Sequence, residues 1–223
     1  MRPLRYVAVL LVAVVLLAPG AALAAAPGAA AVGTVSLTFD DGPHATYTPQ
    51  ILDVLAAERV TATFCLVGTQ AQRYPALVRR IVADGHRLCN HSMRHDNMST
   101  WTPAQIEADL LAANAAIRAA APDARIPYFR APYGAWGQSA AVAAGLGMAR
   151  LGWTVDPRDW SRPGTDAIVT AVLAQLRPGG IVLMHDGGGD RSQTVAALAV
   201  LIPRLRTDGW TFAVPPTLTP AAA

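Results

Sequence analysis

Strand-like and helix-like patterns alternate about seven times along this chain of 223 residues, and that alternation restricts the fold more than any other feature. Short runs of strand length stand at Val35–Phe39, Thr61–Val67, Arg87–Asn90, Ile126–Arg130, Ala149–Thr154, Ile181–Met184 and Trp210–Val214. Helical patterns lie between them. Thr48-Pro49 has the form of an N-cap followed by a proline at the first helical position. A helix from about Gln70 to Asp84 is closed by Gly85. Thr102-Pro103-Ala104-Gln105 opens an Ala-rich helix with a capping box, and Pro122 stops it. Further helices are expected near Ser139–Leu146, Asp166–Leu176 and Gln193–Thr207. Strands joined by crossover helices lie parallel in one sheet. The fold class is therefore α/β, a (β/α) barrel of about seven parallel strands, with an open doubly wound sheet as the alternative.

The first 24 residues stand apart. Arg2 and Arg5 precede an unbroken apolar run, Val7 to Leu17, then Pro19-Gly20 and the small-residue stretch Ala22-Leu23-Ala24. That order is the order of a secretory signal peptide, with cleavage after Ala24. The apolar run falls short of the roughly 20 residues a membrane span needs, so a cleaved leader is expected rather than a stable anchor, and a secreted or cell-envelope location with it. Of the 223 residues, 199 remain, enough for one domain. Residues 25–33 are expected to be a disordered start, 34–215 the folded domain and 216–223 a disordered tail. Loss of the leader lowers the formal charge from +3 to +1 and leaves no Lys/Arg cluster, which excludes a nucleic-acid partner. A monomer is expected. The two cysteines, Cys65 and Cys89, fall in segments that should be neighbouring strands. In an exported protein they form either a disulfide or two buried thiols.

Two segments carry chemistry. Thr38-Phe39-Asp40-Asp41-Gly42-Pro43 ends a strand on adjacent carboxylates, and His91-Ser92-Met93-Arg94-His95 places two imidazoles four residues apart. Together they offer three metal ligands and a spare carboxylate, the count of a catalytic site that keeps one position open. The histidines would share a helical face if a turn begins directly after the third strand. Asp40-Asp41, His91, Arg130, Asp156 and His185 all stand at or just beyond the C-terminal ends of expected strands. In a parallel barrel those ends form one face, where active sites are built. The glycines of His185-Asp186-Gly187-Gly188-Gly189-Asp190 lack the Gly-Lys-Ser/Thr ending of a phosphate loop, and Asp186 and Asp190 are expected as turn and cap residues.

Five segments in order, Thr38–Pro43, His91–His95, Arg130–Tyr133, Asp156–Trp160 and Leu183–His185, resemble the polysaccharide deacetylases of carbohydrate esterase family 4, the NodB-like homology domain, from about Val35 to Val214. The resemblance implies a catalytic domain holding one divalent metal, zinc first, with cobalt and nickel as alternatives. It implies Asp41, His91 and His95 as metal ligands, Asp40 as general base and Arg130 as the cation paired with it. It also implies His185 as general acid and Asp156 as the carboxylate orienting that histidine. Tyr133 is implied as an oxyanion contact through its backbone N–H, and Trp160 and Leu183 as apolar walls for the acetyl methyl group. The implied substrate is an acetylated polysaccharide or oligosaccharide such as chitin, chitooligosaccharide or peptidoglycan. O-acetyl esterase activity on xylan and a non-catalytic glycan-binding module are the alternatives.

Overall fold

Seven strands, β1 (Gly33–Asp40), β2 (Thr63–Leu66), β3 (Arg87–Asn90), β4 (Tyr128–Phe129), β5 (Ala149–Arg150), β6 (Gly180–His185) and β7 (Trp210–Phe212), alternate with helices in a computed structural model that describes residues 31–217. The helices are α1 (Tyr47–Ala57), α2 (Gly68–Arg73), α3 (Pro75–Ala83), α4 (Pro103–Ala120), α5 (Ser139–Gly145), α6 (Thr165–Gln175) and α7 (Ser192–Thr207). The expected signal peptide, residues 25–30 and residues 218–223 lie outside the described residues. Sheet order is β5-β4-β3-β2-β1-β6, all parallel, with β7 paired to the start of β1. After β5 the chain swings back to β6: Val155 bridges Val182, and Leu183 N–H donates to the Val155 carbonyl at 2.9 Å. That return curls the sheet into a distorted barrel, and the open-sheet alternative falls.

β1 pairs with three other strands, β2, β6 and β7. Its last six residues are all buried, as expected of a parallel strand covered on both faces. Phe39 stacks on Phe64 of β2, ring centroids 5.1 Å apart, within the large apolar cluster. Thr38 and Asp40, at alternate positions, both accept hydrogen bonds from Arg130. Asp40, Cys65, Cys89, Tyr128 and Ala149 lie side by side in register across β1 to β5. Cys65, Cys89, Tyr128 and Ala149 join Leu151 in a second, separate cluster. Parallel strands place registered side chains on one side, so Cys65 and Cys89 meet directly and form a disulfide stapling β2 to β3.

Local chemistry moves some boundaries. The helix expected from Gln70 to Asp84 is two helices, because Pro75 cannot donate the hydrogen bond a continuous helix needs and instead starts α3. Thr48 is not the cap of α1, which begins at Tyr47. Its hydroxyl accepts from His44 N–H at 2.7 Å and donates to Asp186. β4 and β5 span two residues each, and the residues expected to lengthen them, Ile126, Pro127 and Arg130 for β4 and Leu151–Thr154 for β5, lie outside the strands. The capping box at Thr102 forms: its hydroxyl accepts from Gln105 N–H, and Gln105 Oε1 accepts from Thr102 N–H at 3.0 Å. Replacing Thr102 by Ala should lower stability by about 1 kcal/mol, seen as an earlier midpoint in urea unfolding with an unchanged slope.

Candidate active site

The C-terminal ends of the strands bring the site together. Asp40 and His185 are register partners on β1 and β6, so their side chains stand at the same level on adjacent strands. Asp41, the next residue, leaves the ladder in a left-handed conformation with φ of 72°. That turn carries its carboxylate away from Asp40 and toward the histidines. Asp41 Oδ1 lies 3.4 Å from His91 Nε2 and 3.1 Å from His95 Nε2.

His91 and His95 do not share a helix. The segment after β3 is an irregular turn in which Ser92 and His95 adopt φ of 66° and 64°, values uncommon for residues other than glycine. Side chains hold it there. Asn90 Oδ1 accepts from Ser92 N–H at 2.8 Å, Ser92 Oγ accepts from His95 N–H at 2.8 Å, and Asp109 accepts from Met93 N–H at 2.8 Å. Asn90 is itself fixed by donating to the Leu110 carbonyl and to Asn114.

One ligand atom from each of Asp41, His91 and His95 lies within 4.8 Å of the other two. His91 Nδ1 sits 2.8 Å from the Arg130 carbonyl, an arrangement in which Nδ1–H donates and the Nε2 lone pair faces Asp41. Such an outer contact is the usual companion of a ligating imidazole. One oxygen and two nitrogens are a donor set suited to Zn²⁺, Co²⁺ or Ni²⁺. Burial alone would raise the Asp41 carboxyl, but hydrogen bonds to His91 and His95, with charge on His91 and His185, outweigh it and hold the group well below the usual carboxylate range. It is ionised and ready to bind a cation.

Arg130 is fully buried at the end of β4, with a polar partner at each guanidinium nitrogen. Nε donates to the Leu151 carbonyl at 3.0 Å and Nη2 to the Gly152 carbonyl at 3.0 Å. Nη1 donates to Thr38 Oγ1 at 2.9 Å and to Asp40 Oδ1 at 2.7 Å. Asp40 is thereby fixed through one oxygen, and its other oxygen faces His91 Nε2 at 3.6 Å.

The carboxylate on His185 is Asp159, not Asp156. Asp159 Oδ1 pairs with His185 Nδ1 at 2.7 Å, while Oδ2 accepts from His185 N–H at 2.9 Å and from Thr194 Oγ1 at 2.8 Å. Asp156 lines the cavity but turns its carboxylate back on its own chain, accepting from Arg158 N–H at 2.8 Å. This is the Asx turn that an Asp-Pro pair favours, and it was the one signal in the sequence against Asp156. Burial pulls the His185 pKa down, but the Asp159 hydrogen bond and charge, with Asp40 and Asp41 behind them, more than reverse this and raise it above the ordinary histidine value.

A cavity of about 660 Å³ opens above these groups, lined by Asp40, Asp41, His91, His95, Asp156 and His185 on its polar side. Tyr133, Trp153, Trp160 and Leu183 supply apolar wall. Tyr133 is 71% exposed, has a left-handed backbone and sits edge-on to His95, centroids 4.5 Å apart. Trp153, which the sequence did not single out, lies over the Arg130 guanidinium at 5.6 Å. Asp186, expected as a surface turn residue, is wholly buried against Thr48. Burial, with Asp41 and Asp40 nearby, pushes its carboxyl up to about 7 against the opposing Thr48 hydrogen bond.

A family model described as polysaccharide deacetylase matches residues 28–151. The chain is 50% identical over 188 residues to a chitooligosaccharide deacetylase of Sinorhizobium fredii, covering 79% of this chain and 87% of that protein. It is 40% identical over 181 residues to a peptidoglycan-N-acetylglucosamine deacetylase of Bacillus cereus, covering 80% and 84%. Among solved structures it is similar to a family 4 carbohydrate esterase from Streptomyces lividans in complex with acetate, at 33% identity and TM-score 0.75, covering 84% of this chain and 100% of that one. A family 4 pseudoenzyme from Bacillus anthracis is as similar in fold, at 32% identity and TM-score 0.75, although the match covers 80% of this chain and 62% of that one. The chain belongs to the polysaccharide deacetylase family, hydrolases of the carbohydrate esterase 4 class.

The two aspartates make a direct test. Asp159→Asn should lower the His185 pKa measured by NMR titration, whereas Asp156→Asn should leave it within error. The sign follows from the favoured proton: a raised folded pKa gives stability that is full below the unfolded value and fades as pH climbs past the folded one. Asp159→Asn should therefore lose most of its stability relative to wild type on the acid side.

Proposed function

We propose that this protein is a secreted, metal-dependent deacetylase that removes acetyl groups from N-acetylglucosamine-containing glycans: chitin, chitooligosaccharide or peptidoglycan. One observation carries the reading. A cation site, a fixed carboxylate and a carboxylate-paired histidine surround one cavity at the strand ends. The pseudoenzyme neighbour gives that completeness weight, since it shares the fold without being named an active enzyme. The glycan class is supported by the relatives named for chitooligosaccharide and peptidoglycan N-acetylglucosamine, and export by the leader pattern and the Cys65–Cys89 disulfide.

Asp41, His91 and His95 would hold the cation, with zinc the metal that best suits their donors. When bound, the ion lowers the pKa of a water to about 7 and polarises the acetyl carbonyl. Asp40, pinned by Arg130 through one oxygen, presents the other to take the proton as water attacks. The Tyr133 turn brings backbone to the same mouth, where its N–H would face the developing oxyanion. His185, whose protonated form Asp159 favours, donates to the leaving nitrogen. Trp160 and Leu183 would receive the methyl group, and acetate and a free amine are released.

Asp40→Asn should reduce acetate release from chitooligosaccharide by about 10²- to 10⁴-fold with metal content unchanged. Wild-type turnover in that variant would remove Asp40 from the mechanism. The same machinery can cleave an ester, but an amine leaves poorly without a proton. Hence His185→Ala should damage amide cleavage far more than cleavage of an activated aryl acetate, and equal losses on both would contradict a proton-donating role. Acetate release measured in parallel on chitooligosaccharides, peptidoglycan and acetylxylan should favour the first two.

A further inference from the structure

Asp41 is held in an unusual pose. Its φ of 72° is costly for a residue with a side chain, and its Oδ1 alone faces His91 and His95. The restraint comes from the opposite wall. Asp186 and Gly187 N–H both donate to the Asp40 carbonyl, at 3.0 and 3.3 Å. Gly187 packs on the Asp41 backbone and Gly188 on Asp41 Oδ2 so closely that a Cβ on either would overlap these atoms. Gly188 also lines the cavity.

Behind these glycines lies Arg191, 4% exposed, which makes no ion pair among the described residues. Its Nε donates to the Gly187 carbonyl at 2.7 Å, and Nη1 is shared between the Asp190 carbonyl at 3.3 Å and the Trp160 carbonyl at 3.4 Å. Desolvating a guanidinium is expensive, and here its donors go to the segment against Asp41 and to the backbone of the apolar wall.

We propose that Gly187-Gly188, anchored by Arg191, is a positioning element for Asp41: the bare glycine surface stops Oδ2, leaves Oδ1 to the two imidazoles, and couples the cation site to the Trp160 wall. The proposal rests on the metal reading above and adds residues that are not among the three cation ligands. It predicts that affinity for the cation depends on the absence of a methyl group at position 188.

The experiment is zinc affinity of the metal-free protein by chelator competition, with melting temperature of the same metal-free samples. Gly188→Ala should weaken zinc binding by about 10- to 100-fold, the range seen when ligand-orienting partners are lost. Gly189→Ala is the control for backbone strain. Its φ is 150°, yet the atoms nearest its added methyl belong to Arg191 and lie no closer than 3.6 Å, an ordinary contact that displaces nothing, so zinc affinity should stay near wild type even if melting falls. Arg191→Lys keeps the charge but loses the forked contact, and should weaken zinc binding in the same direction by less; it decides the matter if Gly188→Ala does not fold. Equal zinc affinity in wild type, Gly188→Ala and Arg191→Lys would overturn the proposal, as would equal losses in Gly188→Ala and Gly189→Ala. Failure of the wild type to bind zinc would instead overturn the metal reading itself.

Discussion

The buried contact between Arg130 and Asp40 is the constraint from which the site follows. A guanidinium without solvent exposure needs every donor answered, and here four groups from two segments answer: Thr38 and Asp40 on β1, and the carbonyls of Leu151 and Gly152 beyond β5. Thr38 in turn donates to the Val182 carbonyl of β6 at 2.6 Å. The pair is weak evidence for net stability, because desolvation offsets most of its attraction, but removing one partner of such a pair costs about 3–5 kcal/mol. Its main consequence is geometric. One oxygen of Asp40 is committed and the other is left facing the cavity.

Packing and chemistry meet along one register row. Asp40 stands beside Cys65, which is bonded to Cys89, which neighbours Tyr128. The barrel interior beneath the site is thus a small apolar cluster closed by a covalent staple, while the larger core lies elsewhere with Phe39, Phe64 and the helices. His91 and Arg130 directly follow β3 and β4, and His185 is the last residue of β6. Groups distant in sequence converge because parallel strands end together.

How much of this was legible depended on whether position came from a period or from a turn. Strand ends are periodic features, so Asp40, His91, Arg130 and His185 could be placed on one face before any coordinates. Turns between strand and helix are not. The choice between Asp156 and Asp159 depends on a chain reversal through Arg158, whose φ of 55° no residue type there demands. His91 and His95 have helical spacing, but Asn90 and Ser92 side chains hold a non-helical turn. Asp186 follows His185 directly, in a stretch whose glycines read as a turn; its burial depends on Thr48, 138 positions away. Such contacts are set by tertiary packing, which local pattern does not encode.

The central claim is that Asp41, His91 and His95 share one cation at the mouth of this cavity. Anomalous diffraction from crystals of the zinc-loaded protein tests it most directly. The account predicts a single zinc peak at roughly 2.0–2.2 Å from an Asp41 carboxylate oxygen and from Nε2 of both histidines. A fully loaded protein whose only zinc lies elsewhere, with the three side chains apart, would contradict it.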